Sequence, residues 1–118
     1  MRILLTSCGG FFVNSLSQEL KRDKSLKNLH IIGIDEKKIK KSKYIDKIFQ
    51  IKKTNETKYI NQVLKICEQN SLNLIIPLSD KESLRLSKYK IRFKKSGVTI
   101  LVNDYKLMKK INDKRYVY

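Results

Sequence analysis

"MRILLTSCGGFFVNSL", residues 1–16, decides the fold. An apolar run over residues 2–6 breaks at Gly9 and Gly10, where a turn needs positive φ or close backbone approach. Val13, Leu16 and Leu20 then fall on one face of a helix that ends near Arg22. Strand, glycine turn and helix, in that order, are how a nucleotide-binding α/β sheet begins.

Outward from this stretch the alternation continues. "LHIIGID", residues 29–35, is a second apolar strand with Asp35 at its C-terminal end, and "DKIFQI", residues 46–51, alternates as a third, edge strand does. Ile60, Val63, Leu64 and Cys67 stand at i, i+3, i+4 and i+7, the clearest amphipathic helix in the chain. "LNLIIPL", residues 72–78, is nearly continuous in apolar character, as expected of a strand buried on both faces. Its Pro77 fits only near the strand end, because proline donates nothing to the ladder. Ser79 and Glu82 have capping-box spacing, so a helix starts right after that strand. Leu84 and Leu86 carry it inward and Gly97 stops it. "VTILV", residues 98–102, is the fifth strand, and Asn103 is placed to cap a short helix through Lys110. The predicted fold class is α/β: a Rossmann-like three-layer sandwich with a five-stranded, mostly parallel sheet of order 3-2-1-4-5. Right-handed crossovers put helices on both faces.

At 118 residues the chain has the length of one domain with a single modest core. No internal repeat, linker or low-complexity segment interrupts it. No targeting segment is visible and no run approaches the roughly 18 apolar residues of a membrane helix. The expectation is a cytoplasmic protein with no membrane partner. Cys8 and Cys67 then read as free thiols, and with His30 the single histidine no His/Cys cluster exists to hold zinc.

The net charge of +16, from 27 basic and 11 acidic residues, points at face value to nucleic acid. Lysines thicken between Lys37 and Lys53 but recur through every later segment. Only five of the basic residues are arginine, the type preferred for bidentate phosphate and base contacts. The chain has no alanine, eight asparagines and fifteen isoleucines, the usage of an AT-rich genome. Without a basic stripe interleaved with aromatics, nucleic acid is not the expected partner.

In open sheets of this kind ligands sit at the C-terminal strand ends, where the strand order reverses. Those ends carry Ser7, Cys8, Gly9 and Gly10 after strand 1, Asp35 after strand 2, and Ser79, Asp80 and Glu82 after strand 4. The dinucleotide fingerprint needs three spaced glycines, whereas "CGGFFVN" offers two and puts Phe11 and Phe12 where a phosphate needs open amides. A phosphate loop is absent. Gly9 and Gly10 therefore read either as a tight turn or as part of a ligand edge. Cys8 lacks a base, since His30 begins strand 2 at the opposite end of the sheet. Asp80 and Glu82 read equally as helix-capping acids or as substrate-facing groups.

"MRILLTSCGG", "IIGID", "LNLIIPLSDKESL", "GVTILVND" and "INDKRYVY", in that order along the whole chain, resemble the N-terminal domain that precedes the catalytic part of ATP-grasp ligases. The likeness is to the carbamoyl-phosphate-synthase-like members. In that group a Pro-x-x-Asp-x-Glu-Leu-type segment follows strand 4 and an Asp-Lys pair begins the next domain. The matching positions are Pro77, Asp80, Glu82 and Leu84, with one extra residue before the leucine, and Asp113 with Lys114. The resemblance implies a pre-ATP-grasp domain over residues 1–111 and the start of a connection over 112–118. It implies ATP and magnesium as cofactors of a full-length ligase and none held by this chain, whose partners are a downstream ATP-grasp domain and a small-molecule substrate. On this reading the chain alone is not catalytic. Cys8, Gly9, Gly10, Asp35, Asp80 and Glu82 help to form the non-nucleotide substrate site for ATP-dependent carboxylate activation and ligation. The alternative is a stand-alone nucleotide- or nucleic-acid-binding module.

Overall fold

The computed structural model describes residues 1–9, 13–24, 28–40 and 43–101. The expected helix after Asn103, the connection over 112–118 and Gly10 lie outside the described residues. The elements alternate: β1 (Arg2–Thr6), α1 (Val13–Arg22), β2 (His30–Asp35), β3 (Lys47–Gln50), α2 (Glu56–Gln69), β4 (Leu74–Ile76), α3 (Asp80–Ser87), α4 (Lys90–Lys95) and β5 (Thr99–Ile100).

All four strand pairings are parallel, and the order is β3-β2-β1-β4-β5. The expected Rossmann-like topology is the one observed. Ile3 to Leu5 of β1 pair with residues 31–33 on one side and with Leu74 to Ile76 on the other. Period-2 alternation then divides the apolar residues of β1 between two cores. Leu4 joins Ile32, Ile34, Ile75 and the buried faces of α2, α3 and α4, including Ile60, Leu86 and Phe93. Ile3 and Leu5 join Ile31, Leu29, Ile45 and Val13, with Leu16 and Leu20 of α1 packed against them. Because both faces are covered, β1 and β2 read as apolar runs rather than alternating strands. Each such side chain, fully buried, contributes about 1.5–3 kcal/mol of apolar transfer free energy.

Helix ends follow local chemistry. Asn55 caps α2 by accepting the Lys58 N–H at 2.9 Å, which satisfies one of the orphan donors of the first turn. At its other end the Leu72 N–H reaches back to the Cys67 carbonyl at 2.9 Å while Ser71 takes φ 54°, a left-handed closure made without glycine. Gly97, at φ 79°, closes α4 with the Val98 N–H on the Phe93 carbonyl at 3.0 Å.

The helix expected between Ser79 and Gly97 is in fact two, α3 and α4, separated at Lys88 and Tyr89. The Ser87 hydroxyl donates to the Leu84 carbonyl at 2.9 Å, and the Tyr89 N–H goes to Leu86, three residues back. Side-chain competition of this kind loosens a helix ladder. The turn lets the Tyr89 hydroxyl donate to Glu56 of α2 at 2.9 Å.

Candidate functional site

The carboxyl ends of β1, β2 and β4 meet at one small cleft of about 160 Å³, lined by Ser7, Asp35, Glu36, Lys37, Ile51, Ser79, Lys81, Glu82 and Arg85. It lies where the strand order reverses, since β1 connects outward to β2 on one side while β4 flanks it on the other.

Glu82 organises this cleft. Ser79, in extended backbone before α3, accepts the Glu82 N–H at 3.2 Å, and its hydroxyl donates to Glu82 Oε1 at 3.3 Å. Ser7 Oγ donates to the same Oε1, and the Tyr59 hydroxyl donates to Oε2. Three hydroxyls from three segments thus converge on one carboxyl group. Ser7 holds φ 51°, the left-handed region that a residue with a Cβ adopts at some cost. The Leu78 N–H donates to the buried Thr6 Oγ1 at 3.1 Å, fixing the segment after β4 against β1.

Tyr59 is 2% exposed. Burial, then the neighbouring Glu82 carboxylate, pushes its phenol far above the ordinary range, so it serves as a hydrogen-bond donor. The Arg85 guanidinium stacks over the Tyr59 ring, 4.7 Å from its centre.

Asp35 holds the opposite wall. Its Oδ2 accepts the Gly9 N–H at 3.0 Å and its Oδ1 accepts the Lys37 N–H at 2.9 Å. The acid expected at the end of β2 therefore ties the glycine turn to its own loop. A Cβ on Gly9 would stand 2.4 Å from Ile39 Cδ1 and 3.1 Å from Asp35 Oδ2, so the turn and the β2 loop are in close contact.

Of the residues singled out from the sequence, Gly9, Asp35 and Glu82 are brought together, and Asp80 opens α3 beside them. Cys8 turns into the core instead, 5% exposed. Its backbone N–H donates to the Ile34 carbonyl at 3.0 Å, and a Cβ on Gly33 would meet its Cβ at 2.7 Å. Burial and the charge of Asp35 push the Cys8 thiol up to about 11, which leaves it protonated at neutral pH. Cys67 is buried in the opposite core, and burial pushes its thiol up to about 12.

Tyr59, Arg85, Lys37 and Lys81 were not anticipated. Tyr59 carries the one available signal, a phenol beside the apolar stripe of α2, since a buried tyrosine needs a partner for its hydroxyl. His30 begins β2, opposite Arg2, and is remote from the cleft as expected. It lies 3.8 Å from Asp46, which also accepts from Lys21 Nζ at 2.8 Å and from the Ile31 N–H at 2.7 Å. Burial raises the Asp46 carboxyl, but the Ile31 and Lys21 hydrogen bonds outweigh it and hold the group below its ordinary value.

A second, larger groove of about 580 Å³ is lined by Lys52, Lys53, Thr54, Lys58, Asn61, Gln62 and Lys65. Among the described residues no group of three or more His, Cys, Asp or Glu side chains could hold a metal ion, and no helix is long and apolar enough to cross a membrane.

Comparison with known proteins bears on this architecture. Residues 3–101 match the family model described as "PylC-like, N-terminal domain". Among solved structures, the chain is similar to a short chain dehydrogenase family protein from Francisella tularensis subsp. tularensis SCHU S4, with a TM-score of 0.51 and 15% identity. That match covers 97% of this chain and 60% of the dehydrogenase, a likeness of fold alone. No curated protein sequence gives a significant match.

Proposed function

Because the chain belongs to the PylC-like N-terminal domain family, a pre-ATP-grasp domain of ATP-grasp ligases, we propose that it works as one wall of a ligase active site. On this reading the domain precedes an ATP-grasp part in a longer polypeptide. It helps to form the non-nucleotide substrate site for ATP-dependent activation and ligation of a carboxylate, in the manner of carbamoyl-phosphate-synthase-like enzymes. ATP and magnesium belong to the ATP-grasp part, and the residues offered to the substrate are those of the β1, β2 and β4 ends.

The observation that carries the reading is the cleft itself. The β1, β2 and β4 ends are tied pairwise by hydrogen bonds, Gly9 to Asp35 between β1 and β2, and Ser7 to Glu82 between the β1 end and the helix after β4, with Ser79 on the same Glu82. Preorganisation of that kind is what a binding wall requires. At about 160 Å³ the cleft is well below the roughly 300–1,000 Å³ of pockets that enclose a whole small ligand. This supports a part-site completed by another domain over an independent dinucleotide site.

The test is kinetic. In a polypeptide carrying this domain ahead of ATP-grasp domains, Asp80→Ala lowers kcat/KM by about tenfold or more while the unfolding transition stays in place. Unchanged kinetics would overturn the assignment. The lysine-lined groove favours a second reading, a stand-alone nucleic-acid-binding module, which requires association that weakens steeply as salt rises.

A further inference from the structure

The outer face of α2 carries a charge pattern that the substrate wall does not use. Lys58, Asn61, Gln62 and Lys65 stand at i, i+3, i+4 and i+7 of that helix, and so along one face. With Lys52 and Lys53 of the connection from β3 they line the groove of about 580 Å³, which shares no lining residue with the cleft at the β1, β2 and β4 ends.

Four lysines line this groove and no carboxyl group does. Among the described residues none of the four side chains forms an ion pair. Their placement is fixed by the main chain. Gln62 accepts the Lys52 N–H at 3.0 Å and donates its amide to the Lys52 carbonyl at 3.1 Å, which clasps the connection onto the helix. Asn61 Oδ1 accepts from Arg92 Nη2 at 2.8 Å, so a fifth cation, from α4, stands against the lining. Like charges gathered in this way repel one another, and an anion seated among them relieves that repulsion.

The lining also narrows the anion. The planar fork of arginine matches a carboxylate or a base edge, whereas lysine offers a compact charge with three donors. No arginine and no aromatic side chain lines the groove, so nothing there stacks on a base or reads its edge in both directions. The volume falls within the roughly 300–1,000 Å³ of small-ligand sites. Lys58 and Lys65, seven residues apart, lie about 10 Å from each other along the helix axis, a span that suits an elongated anion with several charges.

We propose that this groove binds a short polyphosphate chain, free or carried by a nucleotide, whose oxygens are shared among Lys52, Lys53, Lys58 and Lys65. The site stands apart from the substrate wall and does not depend on that reading.

The experiment is a titration of the 118-residue chain with tripolyphosphate at constant ionic strength, followed by ¹H–¹⁵N NMR. Saturable shifts of the Lys52, Lys53, Lys58 and Gln62 amides are expected, with orthophosphate binding at least about tenfold more weakly. Lys58→Gln and Lys65→Gln each weaken the affinity by about tenfold, the loss of one charge-assisted contact, and Lys24→Gln beyond α1 does not. All three lysines are exposed, so these variants keep the fold. A nucleoside triphosphate that binds more tightly than tripolyphosphate assigns the chain to a nucleotide, and equal or weaker binding assigns it to free polyphosphate. Shifts spread over lysines of the whole surface without saturation, wild-type affinity in both groove variants, or a preference for a short single-stranded oligonucleotide would overturn the proposal. Its failure leaves the kinetic test of the substrate wall standing, because that test reads a different set of residues.

Discussion

The Tyr59 hydroxyl donates to Glu82 Oε2, tying the helix that follows β3 to the helix that follows β4. Removing one partner leaves the other without it in a half-buried setting, where an unmade hydrogen bond costs about 1–3 kcal/mol. Tyr59→Phe and Glu82→Ala are each expected to lower the urea midpoint. Because the two groups touch, a double-mutant cycle should return a coupling of about 0.5–3 kcal/mol. Strictly additive losses would show that the contact does not stabilise the fold.

Gly33 and Gly9 make opposite demands. A Cβ on Gly33 would meet Cys8 Cβ at 2.7 Å and Sγ at 2.9 Å, atoms anchored at the root of a buried side chain. At Gly9 the closest obstacle is Ile39 Cδ1, the far end of a side chain able to change rotamer. Gly33→Ala should therefore lose about 1–3 kcal/mol as an overpacked core does, and Gly9→Ala distinctly less. Thermal unfolding of the two variants checks the order.

Both thiols hold their protons more tightly in the folded chain, Cys8 to about 11 and Cys67 to about 12, chiefly through burial. A folded value raised above the unfolded one gives stability that is complete below the unfolded value, near 9.0, and lost as pH rises through the folded values. Urea midpoints are expected to hold up to about pH 8 and to fall between pH 9 and 12. Cys8→Ser with Cys67→Ser should flatten that decline relative to its own midpoint at pH 7. At neutral pH a thiol reagent should label neither cysteine until denaturant is added.

Asp46 behaves in the reverse sense. Despite burial, its bonds from the Ile31 N–H and Lys21 Nζ hold its carboxyl below 3.8, so the stability it contributes is present above that value and lost as pH falls through the lower folded one. Asp46→Ala strips the Ile31 N–H of its acceptor and should cost about 1–3 kcal/mol at pH 7, with the deficit relative to wild type shrinking in strong acid. An equal deficit at pH 7 and pH 2 would contradict it.

What the sequence made legible is local or periodic. The apolar runs of β1, β2 and β4, the stripe of α2, the Ser79–Glu82 capping pair and Gly97 all act within a few residues, and the strand order followed from the handedness of the crossovers. The division of α3 from α4 was not legible. It depends on the Ser87 hydroxyl turning back on its own helix and on Tyr89 finding Glu56, 33 residues away. Ser71 closes α2 in a conformation that composition assigns to glycine. Asp35, Glu82 and Gly9 were placed correctly as neighbours, while Tyr59 and Arg85 were missed because their stacking joins two helices that no short motif links. Cys8 lies in the turn after β1 yet packs its side chain into the core against Gly33, a long-range contact that no local pattern announces.

The strand order has a consequence for how the chain is made. β1 occupies the middle of the sheet, and its two neighbours leave the ribosome at very different times. Ile31 to Gly33 can dock on one edge early, but the other edge stays open until Leu74 to Ile76 emerge. During that interval Ile3, Leu4 and Leu5 form an apolar strand with unpaired backbone groups, which favours pairing with a neighbouring chain. The strand synthesised before the other four is among the last to be enclosed.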